Sequence, residues 1–161
     1  PIENLYAINR KLIDEKADRY SFLQEPVKLN ISHNVKEIEV KVHPEKAKTR
    51  KIEVNELYIS GKDFENFKGK EVRLMHLFNI KLGKKQEITG TENKEIPRIN
   101  WISDFVNARI MMPDASWISG IAEIAVEKLK PGTILQFERF GFVRFDKINE
   151  AGEYEFWFAH R

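Results

Sequence analysis

The 161-residue sequence contains no cysteine. That excludes a disulfide scaffold, a zinc ribbon and a thiol nucleophile together. It has no apolar run near the roughly 18–20 residues that a membrane-spanning helix needs. Its start has no signal-peptide pattern. No membrane partner is expected. Charge of one sign is also missing: 27 Lys and Arg stand against 25 Asp and Glu, a formal +2. The balance excludes a histone-like tail. It leaves nucleic-acid binding open, because a local basic face matters more than the sum. Catalytic signatures are absent as well. There is no Gly-x-x-x-x-Gly-Lys phosphate loop, no Gly-x-Gly-x-x-Gly, no His-Glu-x-x-His and no Gly-x-Ser-x-Gly elbow. The four histidines, at 33, 43, 76 and 160, lack metal-ligand spacing, so no metal is expected. His43, ahead of Pro44, reads as a turn residue. The first residue is Pro1 rather than Met, and the expectation is a piece of a longer chain.

What is present is a core-forming composition, 42% apolar, laid out mainly in short runs. Residues 1–18 read as a helical lead-in, because Leu5, Ile8, Leu12 and Ile13 recur at helical spacing. Beyond them the period changes to two. Strands are expected at 26–31, 35–42, 52–59, 72–80, 86–90, 99–102, 133–140, 141–145 and 154–158. Ser60-Gly61 and Pro131-Gly132 read as turns, and 122–130 stays open between helix and strand. About eight to eleven short strands with polar turns imply an all-β fold of antiparallel barrels.

Three groups carry chemistry for polar recognition: Asp18-Arg19-Tyr20, Lys70-Glu71-Val72-Arg73 and Gln136-Phe137-Glu138-Arg139. Singly, each has an ordinary reading, since a strand Arg usually lies on the solvated face or pairs with a Glu, and the Phe residues read as core. A regular strand would also put Gln136 and Arg139 on opposite faces. For both to meet one ligand the strand must bend, which Gly141 would permit. The functional reading is that single-stranded RNA is recognised by splaying out bases and hydrogen-bonding their edges. Arg offers a rigid fork of donors, and Gln offers the donor and acceptor that match uracil's mixed edge. Tyr20, Phe137 and Phe142 could support stacking.

Asn9-Arg-Lys-Leu-Ile-Asp14, followed by Ala17-Asp-Arg-Tyr20 and Pro26-Val-Lys28, resembles the segment leading into the anticodon-binding region of glutaminyl- and archaeal/eukaryotic-type glutamyl-tRNA synthetases. The similarity continues in order through His43-Pro44 with Arg50, Ile59 to Phe64, Gly69-Lys-Glu-Val-Arg-Leu74, Ile99-Asn-Trp-Ile102 and Leu129 to Phe142. It covers nearly the whole chain, and its specificity lies in the order and spacing of the pieces.

The resemblance implies two ribosomal L25-like β-barrels. The proximal barrel would span 19–97, completed by 153–161, and the distal one 98–152, with the anticodon loop where they meet. Arg19, Gln136 and Arg139 match positions that read the middle anticodon base, U for glutamate and glutamine tRNAs alike. Arg73 matches a position near the first base. A family Arg two residues later is Met75 here, which puts detailed reading of the first base in doubt. Lys46, Lys48, Arg50, Lys51, Lys68 and Lys70 are the phosphate-contact candidates. A basic stretch that the bacterial glutamine enzyme carries before Gly69 is missing, and the chain is short between Trp101 and Trp117. Both features favour the glutamate enzyme.

Neither class I catalytic signature, His-x-Gly-His or Lys-Met-Ser-Lys-Ser, occurs. The chain is therefore expected to bind and not to catalyse. It needs no cofactor itself, while ATP and Mg²⁺ are expected in the parent's catalytic domain. The implied partner is tRNA-Glu, with tRNA-Gln admitted if the third base is read loosely. DNA is not expected, and the cytoplasm is the expected location. The competing readings are the same module of a glutaminyl-tRNA synthetase, an L25-like 5S rRNA-binding protein and a barrel for protein contacts.

Overall fold

In the computed structural model, which describes residues 2–161, helix α1 (Ile2–Lys16) precedes a chain of short strands. The apolar stripe of α1 is not covered by this chain, because Leu5, Ile8 and Leu12 are each more than half exposed. Its C-terminal end is anchored. His43 accepts from the Glu45 N–H on Nδ1 and donates from Nε2 to the Asp14 carbonyl. Lys46 caps the last turn by donating to the Lys16 carbonyl at 2.7 Å, where a cation also suits the helix dipole.

The elements that follow are β1 (Arg19–Tyr20), β2 (Phe22–Leu23), β3 (Pro26–Lys28), β4 (Glu37–Lys41), β5 (Thr49–Glu53) and β6 (Tyr58–Ser60). Helix α2 (Gly61–Asn66) leads into β7 (Glu71–Leu74), β8 (Asn79–Lys81), β9 (Glu87–Gly90) and β10 (Arg98–Ile99). The last set is β11 (Phe105–Met111), β12 (Trp117–Glu123), a 3₁₀ turn (Ile124–Lys128), β13 (Ile134–Phe137), β14 (Gly141–Ile148) and β15 (Tyr154–His160).

Seven strands form one sheet in the order β1-β13-β14-β15-β11-β12-β2. Only Ser21 separates β1 from β2, so one short stretch pairs in parallel with β13 at one edge and antiparallel with β12 at the other. The sheet curls into a nearly closed barrel, which leaves little free edge. Phe22 stacks on Phe137 with ring centroids 5.2 Å apart, and Phe156 meets Phe137 edge-on at 4.9 Å. These rings share a core with Ile110, Leu135 and Val143. The closure is tight at Gly120, where a Cβ would lie 2.1 Å from the Leu23 carbonyl oxygen.

The second half is built from a four-stranded sheet, β10-β7-β8-β9, and the two-stranded ribbons β3-β6 and β4-β5. Its separate core holds Leu57, Ile59, Val72, Leu74, Ile80 and Ile99. Between the two cores, Leu23, Ile102 and Ile121 pack with Tyr58. Tyr58 and Ile102 exchange backbone hydrogen bonds there at 2.8 and 3.0 Å.

The fold is all-β with a short N-terminal helix. The strands are shared out differently from the expected 19–97, 98–152 and 153–161. The stretch 19–23 joins the sheet of residues 105–160, because Tyr20 and Phe22 face the core of Phe137 and Phe156. Tyr154–His160 pairs with β14 and β11, and with no strand between residues 26 and 99. Local readings shift too. The expected strand 72–80 breaks into β7 and β8 around a turn in which His76 adopts φ 64°. The expected strand 52–59 divides between β5 and β6. Ser60-Gly61 starts a helix, with Ser60 Oγ accepting from the Asp63 N–H at 3.1 Å. The undecided stretch 122–130 supplies the end of β12 and the 3₁₀ turn.

Candidate nucleic-acid interface

Parallel pairing of β1 and β13 makes Arg19 and Gln136 register partners. The next residues along, Tyr20 and Phe137, enter the core, so by strand alternation Arg19 and Gln136 share the outer face. They line one cavity of about 560 Å³ with Arg10, Asp14, Phe142 and His160. Arg19 Nη2 makes a long contact of 3.4 Å to Asp14 Oδ1. Its Nε, and Oε1 of Gln136, are buried without a hydrogen-bond partner. A buried donor or acceptor left unmade costs about 1–3 kcal/mol. A ligand edge presenting an acceptor beside a donor would satisfy both.

Arg139 is not brought to that cavity. Strand β13 ends at Phe137, and Glu138, Arg139 and Phe140 form a turn closed by the Phe140 N–H on the Phe137 carbonyl at 3.0 Å. Arg139 takes a left-handed backbone, φ 63°. Gly141 follows, where a Cβ would come 2.9 Å from the His160 carbonyl oxygen. The chain therefore turns where a bent strand was expected, and Arg139 reaches across to α2. Its Nη1 and Nη2 donate to Asp63 Oδ2 and Oδ1 at 2.8 and 2.9 Å. The hydrogen-bonded Asp63 raises the Arg139 pKa. This pair lines a second cavity of about 490 Å³, with Gln24, Lys62, Asn66 and Phe140.

Arg73 is engaged within its own sheet. Its Nη1 donates to Asn79 Oδ1 at 3.0 Å and to the Thr91 carbonyl at 3.1 Å. It thereby holds the segment after β9. The phosphate-contact candidates divide. Lys48, Lys51, Lys68 and Lys70 are exposed. Lys51 lies 3.8 Å from Glu37, and Lys68 sits 5.8 Å from the Phe64 ring centroid. Lys46 pairs with Asp18 at 2.6 Å. Arg50 does not face solvent: alternation along β5 turns it inward while Lys51 points out. Its guanidinium lies over the Tyr20 ring, 5.0 Å from the centroid, and its Nη2 is 2.7 Å from Glu123 Oε1.

Glu123 is 7% exposed. Burial pushes its carboxyl up to about 7, Arg50 pulls it back, and the nearby Glu138 adds to the rise. Arg50 and Glu123 line a third cavity of about 360 Å³ between the two cores. Among the described residues, no group of His, Asp or Glu converges as a metal site, and no helix is long and apolar enough to cross a membrane.

Sequence reasoning missed Asp63 and Glu123. Both had a signal. Ser60-Gly-Lys-Asp63 has the spacing of a helix start. Glu123 is the lone charge between Trp117 and Val126, and a carboxylate inside an apolar run asks for a buried partner.

Two family models match the chain, both describing the anticodon-binding domain of class I tRNA synthetases (E and Q). One covers residues 17–101 and the other 76–146. Similar curated proteins include the glutamate–tRNA ligase of Methanocaldococcus jannaschii, 37% identical, with 99% of this chain and 31% of that protein covered. The glutamate–tRNA ligase of Archaeoglobus fulgidus is 33% identical, with 92% and 28% covered. That of Methanosphaera stadtmanae is 30% identical, with 98% and 31% covered. The chain thus spans about a third of the length of these relatives.

Proposed function

The chain belongs to the class I tRNA synthetases for glutamate and glutamine, through their anticodon-binding domain, and we propose that it reads the anticodon loop of tRNA-Glu for a glutamate–tRNA ligase. The parent enzyme would activate glutamate with ATP and Mg²⁺ in a catalytic domain outside these residues, in the cytoplasm. The names of the similar archaeal proteins support glutamate over glutamine.

One observation carries the reading. Arg19 Nε and Gln136 Oε1 come from register partners, line one cavity, and are both buried and unpartnered. The middle anticodon base, U, unstacks into that cavity. Gln136 Oε1 accepts from its N3–H, and Arg19 donates to a uracil carbonyl. Arg139, held by Asp63 beside the neighbouring cavity, meets the loop next to that base and not the base itself, and Arg73 lies toward the first base. Lys46, Lys48, Lys51, Lys68 and Lys70 supply phosphate contacts, which add salt-dependent affinity without sequence information. A loosely read third base would admit tRNA-Gln as well.

The test is fluorescence anisotropy of this chain with glutamate- and glutamine-type anticodon stem-loops, each with and without the middle U changed to A. The expected loss on changing U is about 1–3 kcal/mol. Equal binding of all four loops, with only a salt effect, would overturn base reading at Arg19 and Gln136. Preference for the glutamate-type loop would support the glutamate parent.

A further inference from the structure

We propose that His43 is a positioning residue for the cavity of Arg19 and Gln136: acting through the end of α1, it sets where the Arg19 guanidinium lies, without touching RNA itself. This rests on the anticodon-binding reading above.

Helix α1 has little apolar packing to fix it, since Leu5, Ile8 and Leu12 are each more than half exposed. An α-helix also leaves its last four carbonyls without partners inside the helix. Two of those in α1, on Asp14 and Lys16, are taken by the turn that follows β4. His43 Nε2 donates to the Asp14 carbonyl, and Lys46 Nζ donates to the Lys16 carbonyl at 2.7 Å. Lys46 Nζ also reaches Asp18 Oδ1 at 2.6 Å. The Arg19 N–H donates to the Val42 carbonyl at 2.8 Å. Residues 42–46 therefore clamp the stretch that enters the barrel at Asp14, Lys16, Asp18 and Arg19.

His43 sits at the centre of this clamp and is 2% exposed. Its Nδ1 accepts from the Glu45 N–H at 3.0 Å, which leaves the ring proton on Nε2 for Asp14. Both nitrogens are thus satisfied, as a buried imidazole requires. The Lys46 N–H closes the turn on the His43 carbonyl at 3.1 Å.

The clamp reaches Arg19 through backbone and side chain alike. Val42 holds the backbone. On the side-chain route, Asp14 Oδ1 lies 3.4 Å from Arg19 Nη2, while Arg19 Nε is buried without a partner. Moving Asp14 therefore moves the fork. An arginine carries about 2 kcal/mol of rotamer freedom, and a side chain ordered before the ligand arrives costs less to use. Asp14, Arg19 and Gln136 line the same cavity, and His43 does not.

The experiment measures anisotropy of glutamate-type stem-loops, with middle U or middle A, on the 161-residue chain and its variants. His43→Asn keeps an acceptor for Glu45 but is too short to reach Asp14. His43→Gln places an amide N–H near the lost Nε2. His43→Asn should lower the preference for U over A by about fivefold or more, and His43→Gln should restore most of it. Where Arg19→Lys is already present, His43→Asn should lower the preference no further. Asp14→Ala, at a half-buried site, keeps the carbonyl that His43 uses and removes the carboxylate from Arg19; it should lower the preference too. Urea denaturation establishes that each variant is folded. Equal weakening of both loops by His43→Asn, or lost stability with unchanged preference, would make His43 merely structural and overturn the proposal. Unchanged preference in Asp14→Ala would overturn it whether or not His43→Asn folds. Indifference to the middle base in wild type would instead overturn the anticodon reading itself.

Discussion

Arg139 and Asp63, 76 residues apart, face each other as a two-pronged ion pair that ties the β13–β14 turn to helix α2. The two partners differ in burial: the Asp63 side chain is 3% exposed and that of Arg139 53%. Their removal should therefore have unequal effects. Arg139→Ala strands a buried carboxylate and should cost about 3 kcal/mol in urea denaturation. Asp63→Asn leaves an arginine that solvent can reach, and should cost less. Adding Asp63→Asn to Arg139→Ala should recover most of the loss. Equal losses for the two single variants would show that the carboxylate is not the group at stake.

Gln136→Leu should separate binding from stability. Its Oε1 has no partner in the free chain, so removing it relieves an unmade bond. Stability should stay level or rise by up to about 1 kcal/mol. Discrimination between middle-U and middle-A loops should fall by about 1–3 kcal/mol. Paired urea denaturation and anisotropy measure the two. A loss of stability together with unchanged discrimination would place Gln136 in the structure and not at the RNA.

Much of this was legible locally. Alternation marked most strands, and the Leu5, Ile8 and Leu12 stripe marked α1. What alternation does not encode is the partner. Arg19–Tyr20 pairs with residues 134–137, and that choice is made by Tyr20 and Phe22 packing with Phe137. The same alternation, applied along β5, places Arg50 inside and Lys51 outside. Reading 46–51 as one basic loop groups both as phosphate contacts, whereas 49–53 is a strand. Arg139 was illegible for another reason. Phe137-Glu-Arg-Phe140 has no Asn-Gly or Asp-Gly turn signal, yet the close approach of β15 at Gly141 makes the chain turn there.

Barrel closure makes Gly120 intolerant of a side chain. A Cβ there would lie 2.1 Å from the Leu23 carbonyl oxygen and 2.8 Å from Phe22 Cζ. Neither can yield without parting β2 from β12, so Gly120→Ala should cost about 3 kcal/mol or more. Gly83→Ala is the control, since its nearest contact would be an ordinary 3.6 Å, and it should change stability by less than about 0.5 kcal/mol. Urea midpoints of the two variants check this. Similar midpoints would mean that the barrel edge gives way freely.

Glu123 should make stability fall as pH rises. Its carboxyl is pushed from the ordinary 4.5 up to about 7, chiefly by burial, with Arg50 opposing and Glu138 reinforcing. Between those values the folded chain keeps a proton that the unfolded chain has released. Unfolding therefore releases a proton, and raising the pH favours it. The contribution is complete below about pH 4.5 and lost by about pH 7, amounting to about 3 kcal/mol. Glu56, Glu71 and Asp114 have lowered pKa values, each chiefly from side-chain hydrogen bonds. Their stabilisation is lost only as the pH falls through the acid range, below this window. Thermal melts between about pH 5 and about pH 7.5 should show a falling Tm for wild type and a nearly level one for Glu123→Gln. A level wild-type profile would mean that Arg50 keeps Glu123 ionised throughout, and that the ion pair outweighs the cost of burying the charge.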